Sequence, residues 1–343
     1  MKDNNTRLVY FDMLKLFAIF LVIVGHCAQY LLSSSPYDEP LYVYIYSFHM
    51  PLFMIISGFF SFKKDLKPEA CWGVKRRFYQ LIIPSLLWMI IHGIMCYYIY
   101  NDYSSLSIKE ILLDETFNTL WFLKSLFICY LVYVIIALSN NWIKVFLTIG
   151  IIATFSFVSW FHLKLMLPSF FVGVFMRKNK DIISMPFTLI LSGLCFAICL
   201  IGWNADFFTS PSGLFRSMAQ GNYEPMVIHL WRTVFSIIIG VSGSVFFISM
   251  FGFLFNNRNL RALSKYGQYT LSIYIIQTIL LETVMPHYIL FEGSSIWVYL
   301  IIIPIISLLI LSVSIYLYKL LSHCALIDRL LFGNNVKPSN INS

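Results

Sequence analysis

Charge is what this sequence has least of. Of its 343 residues, 12% are Asp, Glu, Lys or Arg and 59% are hydrophobic. A soluble globular chain carries about 25% charged residues, so roughly half the usual charge is missing. That excludes an ordinary cytosolic enzyme, a disordered chain and a DNA-binding module. Cysteine pairs are missing too. The seven cysteines form no CxxC, and most lie in apolar runs, where cysteine acts as a small hydrophobe. Neither a disulfide framework nor a zinc site is expected, and no metal is assigned. There is no G-x-G-x-x-G or P-loop run, which excludes a nucleotide fold read from sequence. Internal repeats, low-complexity tracts and linkers are also lacking, and no stretch is polar enough for a separate soluble domain.

What the chain has is long hydrophobic runs, with a mean hydropathy of +0.77. At about 20 residues per membrane-spanning helix, the runs read as ten spans: 9–32, 41–62, 79–100, 119–138, 143–160, 163–176, 186–203, 226–255, 266–290 and 296–321. The net charge of +8 sits in short loops between them, so it points to membrane topology and not to nucleic acid. With the N-terminus in the cytoplasm, 18 basic residues fall in cytoplasmic segments and only Lys109, Lys164 and Arg216 in the opposite loops. This asymmetry is the positive-inside pattern. One missed span would invert every later loop, so ten spans with both termini cytoplasmic are expected.

The first run carries Asp12 and Lys15 at its start and no small-residue cleavage site after Tyr30, so it is not a secretory signal. The expectation is an all-α, polytopic protein of the cell (inner or plasma) membrane, with the lipid bilayer as a partner. Residues 1–332 form a single transmembrane domain, and 333–343 form a short disordered tail. The longest outer loop, 204–225, reads equally as a roof over an outward-facing site or as a solvated connection.

Ionisable groups in hydrocarbon are costly and mark function by default. Here they are Lys15, His26, His49, His92, Lys124, His229, Arg232 and Glu282. Lys124 and Glu282 fit snorkelling or pairing with a neighbouring helix, and His92 and His229 fit bonds to helix carbonyls. The first span is richer. Lys15 and His26 lie 11 residues apart, which is about three turns and about 16 Å along one helix. That suits a cation near the cytoplasm with a base deeper in the membrane. It suits a snorkelling lysine and a packing histidine as well, and spacing alone does not separate the two.

The motifs go further. The first span reads DMLKLFAIFLVIVGH, with Asp12, Lys15 and His26. The second reads FHMPLFMIISGFF, with His49, Pro51, Ser57 and Gly58. KRRFYQLIIPSLLW places Arg77 and Pro84, and LWFL covers Leu120 to Leu123. LPSFFVGVFM supplies a later glycine span, and LSKYGQYTLSIYIIQ ends on Gln277. In this order the sequence resembles the acyltransferase 3 family of membrane acyltransferases, which includes bacterial polysaccharide O-acetyltransferases. The family's usual arginine is Lys15 here, Gln80 stands where a second arginine is common, and Gln277 replaces a usual histidine. Position 277 is therefore given no proton-transfer role.

The resemblance implies about ten transmembrane helices. It also implies transfer of an acyl group, most often acetyl, from cytoplasmic acyl-CoA to a hydroxyl of a glycan or glycolipid. Such transfer needs a base for the hydroxyl proton, and histidine suits the task. His26 is the expected base, either acting directly or as a covalent acyl carrier, with His49 as a second catalytic group or a fixer of the Pro51 kink. Asp12 is too far along the helix to orient His26. Coenzyme A phosphates need cations, and Lys15, Arg77, Arg76 and Lys75 are the candidates. Asp12, Ser57 and Trp121 are expected in support. The competing reading is a transporter or exporter of a glycan or small solute. It lacks the paired Gly/Pro-broken spans that inverted-repeat transporters often carry.

Overall fold

The structure is a computed structural model. It describes residues 9–33, 35, 39–64, 66–99, 110–111, 115–116, 118–139, 162–179, 185–207, 226–255, 261–287, 291 and 297–334. Among these residues every regular element is helical, and one isolated parallel bridge joins Leu32 to Phe291. Twelve helices carry the argument: α1 (Val9–Tyr30), α2 (Pro40–Tyr46), α3 (His49–Ser61), α4 (Ala70–Arg77), α5 (Ile83–Ile94), α6 (Trp121–Leu138), α7 (Leu163–Lys178), α8 (Pro186–Gly202), α9 (Met226–Leu254), α10 (Thr270–Thr278), α11 (Ile303–Leu321) and α12 (Ala325–Phe332).

Six stretches are long and apolar enough to cross a membrane: Val9–Tyr30, Leu41–Ser61, Lys67–Tyr98, Trp121–Leu138, Leu230–Leu254 and Val298–Leu321. Pro186–Gly202 is apolar but shorter. The expected span 143–160 lies outside the described residues, as does the loop 204–225 beyond Phe207. Of the expected tail, Gly333 and Asn334 are described and cap α12. Gly333 takes the left-handed conformation (φ +65°), and the Asn334 side chain donates to Asp328 Oδ1 at 2.9 Å.

The second expected span is two helices. Pro51 lacks the N–H that would reach the Ser47 carbonyl one turn back, and the chain breaks at Ser47–Phe48. Side chains satisfy the break: Ser47 Oγ donates to the Tyr44 carbonyl at 2.7 Å, and His49 Nδ1 lies 2.8 Å from the Ile45 carbonyl. Further along, α3 crosses α7 with their backbones touching. A Cβ on Gly58 would stand 2.0 Å from the Phe170 carbonyl oxygen, and one on Gly173 would stand 2.0 Å from that of Ile55. Only glycine permits that approach, which is how membrane helices pack without a hydrophobic driving force.

α1 occupies the centre, with Leu14, Ala18, Ile19 and Ile23 fully buried, packed by α3, α9, α10 and α11. The bundle has two distinct ends. Lys15, Arg77 and Arg177 gather at one, around Phe59, Phe60 and Ser61 at the end of α3. At the other end the Leu32–Phe291 bridge ties the exit of α1 to the chain beyond α10. There too Trp121 at the start of α6 meets His162 just before α7, with ring centroids 4.6 Å apart. α6 and α7 therefore run parallel, from this end toward the basic one.

Candidate functional site

His26 sits on α1 toward the end remote from Lys15. Its Nδ1 is 3.0 Å from Gln277 Oε1 on α10. The Gln277 amide nitrogen is already committed, donating to the Tyr274 carbonyl at 3.2 Å and to Thr278 Oγ1 at 2.8 Å. Gln277 is fully buried, so this network fixes its oxygen toward the imidazole. An amide oxygen only accepts. The bond therefore requires the proton on His26 Nδ1 and leaves a lone pair on Nε2. The side chain that sequence reasoning excluded from proton transfer is the one that sets the tautomer of the expected base. The signal was present as the substitution of one hydrogen-bonding side chain for another, but it became readable only once α1 and α10 were side by side.

A cavity of about 240 Å³ opens between α1, α3, α6 and the 267–274 stretch. Lys15 and Ser57 line it toward the basic end, and Val22, Met50, Phe122 and Tyr274 line it deeper. Val22 is one turn before His26 and Tyr274 one turn before Gln277. The cavity thus ends about 6 Å along the axis from the His26–Gln277 pair. Its wall is largely apolar with a cation at its mouth. Gly267 helps close it, because a side chain there would strike the Asp12 carbonyl, 2.0 Å from an ideal Cβ.

The expected cations divide. Lys15 pairs with Asp12 at 3.5 Å and lies 4.8 Å over the Phe60 ring. Asp12 is buried and serves Lys15, one turn away on α1. Arg77 turns inward: its Nη2 donates to Ser61 Oγ at 3.0 Å, and its guanidinium lies 3.6 Å over Tyr130. Arg76 faces outward over Trp72 at 5.3 Å, and Lys75 is exposed. Successive residues on a helix diverge by about 100°, so one run of three basic residues cannot serve one ligand pocket equally. Sequence reasoning missed Arg177 at the end of α7, which lies 5.0 Å over Phe59, on the ring next to Lys15's. It had been counted only as a topology-setting charge.

His49 does not join His26 in the open site. It is 1% exposed, bonded to the Ile45 carbonyl and 4.5 Å from the Tyr46 ring. Its place is in the helix break. Ser57 lies on the cavity wall and its carbonyl accepts from Ser61 Oγ at 2.7 Å. Trp121 stands at the non-basic end, half-buried, against His162. Leu120 (φ 49°) and His162 (φ 52°) both take the left-handed backbone, which costs non-glycine residues about 1–2 kcal/mol each. Held strain at two adjoining helix starts is the kind of feature that marks functional sites.

The remaining membrane groups pair with each other. His92 Nδ1 lies 2.8 Å from Glu115 Oε2, with Thr119 Oγ1 donating to the same carboxylate. Lys124 donates to the Thr116 and Thr119 carbonyls, each at 2.7 Å. His92 therefore pairs with a carboxylate, where a helix carbonyl was expected. Cys96 Sγ is 3.9 and 3.8 Å from the two His92 nitrogens. His92, Cys96 and Glu115 have the donor types of a metal centre, with one ligand atom of each lying within 4.8 Å of the others. Glu282 lies near Tyr30 of α1. The side chain of His229 lies outside the described residues.

The pattern of the acyltransferase-domain family called acyltransferase 3 matches residues 8–319. The chain belongs to that family. It is similar to "Nodulation protein NolL" of Mesorhizobium japonicum, 28% identical over 310 residues, covering 80% of this chain and 76% of the relative. It is also similar to "Nodulation protein NolL" of Sinorhizobium fredii, 39% identical over 87 residues, 24% of each chain. No solved structure matches it. The matched span contains α1, the cavity and Gln277, so the site described above lies inside the family's domain. The chain is a membrane acyltransferase.

Proposed function

We propose that this acyltransferase moves an acyl group, acetyl by preference, from cytoplasmic acyl-CoA to a hydroxyl of a cell-surface or lipid-linked glycan. The observation that carries the reading is the His26–Gln277 bond, about one helical turn beyond the inner end of a cation-mouthed apolar cavity. The basic end faces the cytoplasm in this reading, as the loop charges imply. Ten spans are consistent with the parallel course of α6 and α7, which requires an odd number of crossings between them.

The phosphates of coenzyme A meet Lys15, Arg77 and Arg177, with Arg76 and Lys75 at the rim. Each of the first three cations rests on an aromatic ring, and Lys15 also pairs with Asp12. The thin, extended pantetheine arm reaches along the cavity and brings the thioester toward His26. There Nε2 takes the proton of the acceptor hydroxyl as its oxygen attacks the thioester carbonyl. The new C–O bond forms, the C–S bond breaks, and His26 returns the proton to the departing thiolate. A positioned base of this kind contributes about 10²- to 10⁴-fold. Gln277 keeps the proton on Nδ1 throughout, and His49 holds the α2–α3 break against which Tyr46 and α1 pack.

The test uses inside-out vesicles from cells making the protein, given acetyl-CoA labelled on the acetyl carbon. Label should enter lipid-linked or polymeric glycan and be released by mild base as an O-ester. If no label enters glycan, with either acetyl- or succinyl-CoA and with glycan from the native host supplied, the reading fails.

A further inference from the structure

His92 and Cys96 are one helical turn apart in sequence, so they fall on one face of their segment. α5 stops at Ile94, and the chain continues as a π turn, Met95–Ile99, that holds Cys96. π turns are rare and recur at functional sites. Glu115, 23 residues beyond His92, folds back onto the same face. It lies against α5 itself: a Cβ on Gly93 would stand 3.8 Å from Glu115 Cγ.

The three side chains converge. His92 Nδ1 is 2.8 Å from Glu115 Oε2, and Cys96 Sγ is 3.9 Å from Nδ1 and 3.8 Å from Nε2 of the same ring. Zinc binds sulfur at about 2.3 Å and nitrogen or oxygen at about 2.0–2.1 Å, so tetrahedral ligands stand about 3.6 Å (S to N) or about 3.3 Å (N to O) apart. The His92–Cys96 separation is already near that of a ligand pair. The His92–Glu115 pair needs to open by about half an ångström to admit the ion. The carboxylate has a second layer of support. Thr119 Oγ1 donates to it, and Lys124 holds the Thr116 and Thr119 carbonyls at 2.7 Å each. Hydrogen bonds that orient a ligating carboxylate are a regular part of metal sites. Cys96, Glu115 and Thr119 are buried, while the His92 side chain keeps 13% of its surface accessible, which gives an ion an approach.

We propose that His92, Cys96 and Glu115 form a zinc site at the non-basic end of the bundle. A donor set of nitrogen, sulfur and oxygen suits Zn²⁺, whereas Ca²⁺ and Mg²⁺ take oxygen ligands. On binding, the thiol proton of Cys96 and the proton shared by His92 and Glu115 pass to solvent. A thiolate, a neutral imidazole and a carboxylate then hold the ion, with water in the fourth position. The ion fastens the end of α5 to the segment that enters α6. That entry passes through Leu120 in the left-handed conformation and carries Phe122 into the cavity wall. No CxxC announces the site, because its ligands come from two segments. The inference concerns residues away from His26 and does not rest on the acyl-transfer reading.

The full chain, purified in detergent without a metal-affinity tag, is stripped with chelator and titrated with Zn²⁺, and separately with Co²⁺ as an optical probe. One ion should bind per chain, and the Co²⁺ form should show thiolate-to-metal charge-transfer absorption. That band should survive replacement of the exposed Cys71 and Cys324 by serine. Thr119→Val should weaken Zn²⁺ binding about 10- to 100-fold. Cys96→Ala should weaken it further and abolish the band. Absence of Zn²⁺ binding by the wild type overturns the proposal, as does binding that Cys96→Ala and Thr119→Val leave unchanged. A Co²⁺ form without the band, or one that loses it with Cys71 and Cys324, overturns it whether or not the other variants fold.

Discussion

The two ends of this bundle handle polar groups in opposite ways. At the basic end, cations rest on rings: Lys15 on Phe60, Arg77 on Tyr130 and Arg177 on Phe59. At the other end, polar groups are locked to one another: His26 to Gln277 and His92 to Glu115. The first arrangement gathers cations at the mouth of the cavity, Lys15 together with its Asp12 partner. The second fixes the direction of each donor and acceptor, as a site must when it transfers a proton at one atom. The cavity of about 240 Å³ connects the two modes. A charged donor carrier entering at one end and a reacting group presented at the other is the division of labour this contrast describes.

The contrast can be broken in several places. The largest effect is all-or-none. Cys71 and Cys324 are exposed at the basic end, so a membrane-impermeant thiol reagent should label them in inside-out vesicles and leave them untouched in intact cells. Labelling in intact cells would turn the bundle over. Gln277→Leu should lower turnover roughly 10- to 100-fold, the cost of a buried hydrogen bond left unmade, at an unchanged acyl-CoA KM. Gln277→His, able to accept from Nδ1, should recover most of that loss. A leucine variant with normal turnover would show that the tautomer is not set there. Arg77→Ala should act on the other mode, raising acyl-CoA KM about tenfold with little change in turnover; an unchanged KM would remove Arg77 from the donor path. The smallest effect is expected at Arg76→Ala, where acyl-CoA KM should stay within about twofold, as for an exposed rim charge. A rise equal to that of Arg77→Ala would erase the distinction between inward and outward cations.

The same contrast explains what could be read from sequence. Among the described residues, six helices long and apolar enough to cross a membrane match spans read from hydropathy, and the helix break falls at Pro51, because both signals are local. The cations of the basic end lie in short motifs, and Arg77 was picked out by its motif position. Arg177 escaped because a basic residue after an apolar span has a sufficient explanation in topology. The other end was nearly illegible. Gln277 lies 251 residues from His26, and its substitution for the usual histidine looked like a loss of function when read alone. The motif reading of His49 allows a second catalytic group or a fixer of the Pro51 kink, and its burial and contact with the Ile45 carbonyl favour the second. Pairings between helices distant in sequence need the packed bundle, and the Gly58–Gly173 crossing that brings α3 against α7 is equally non-local.

The central claim is that His26 Nε2 does the chemistry. The most direct measurement is glycan labelling from acetyl-CoA in inside-out vesicles, with His26→Ala beside the wild type at matched membrane levels. The account predicts a loss of about 10³-fold or more in a variant that still inserts and retains acyl-CoA binding. Label incorporation by His26→Ala within a few-fold of wild type would contradict it.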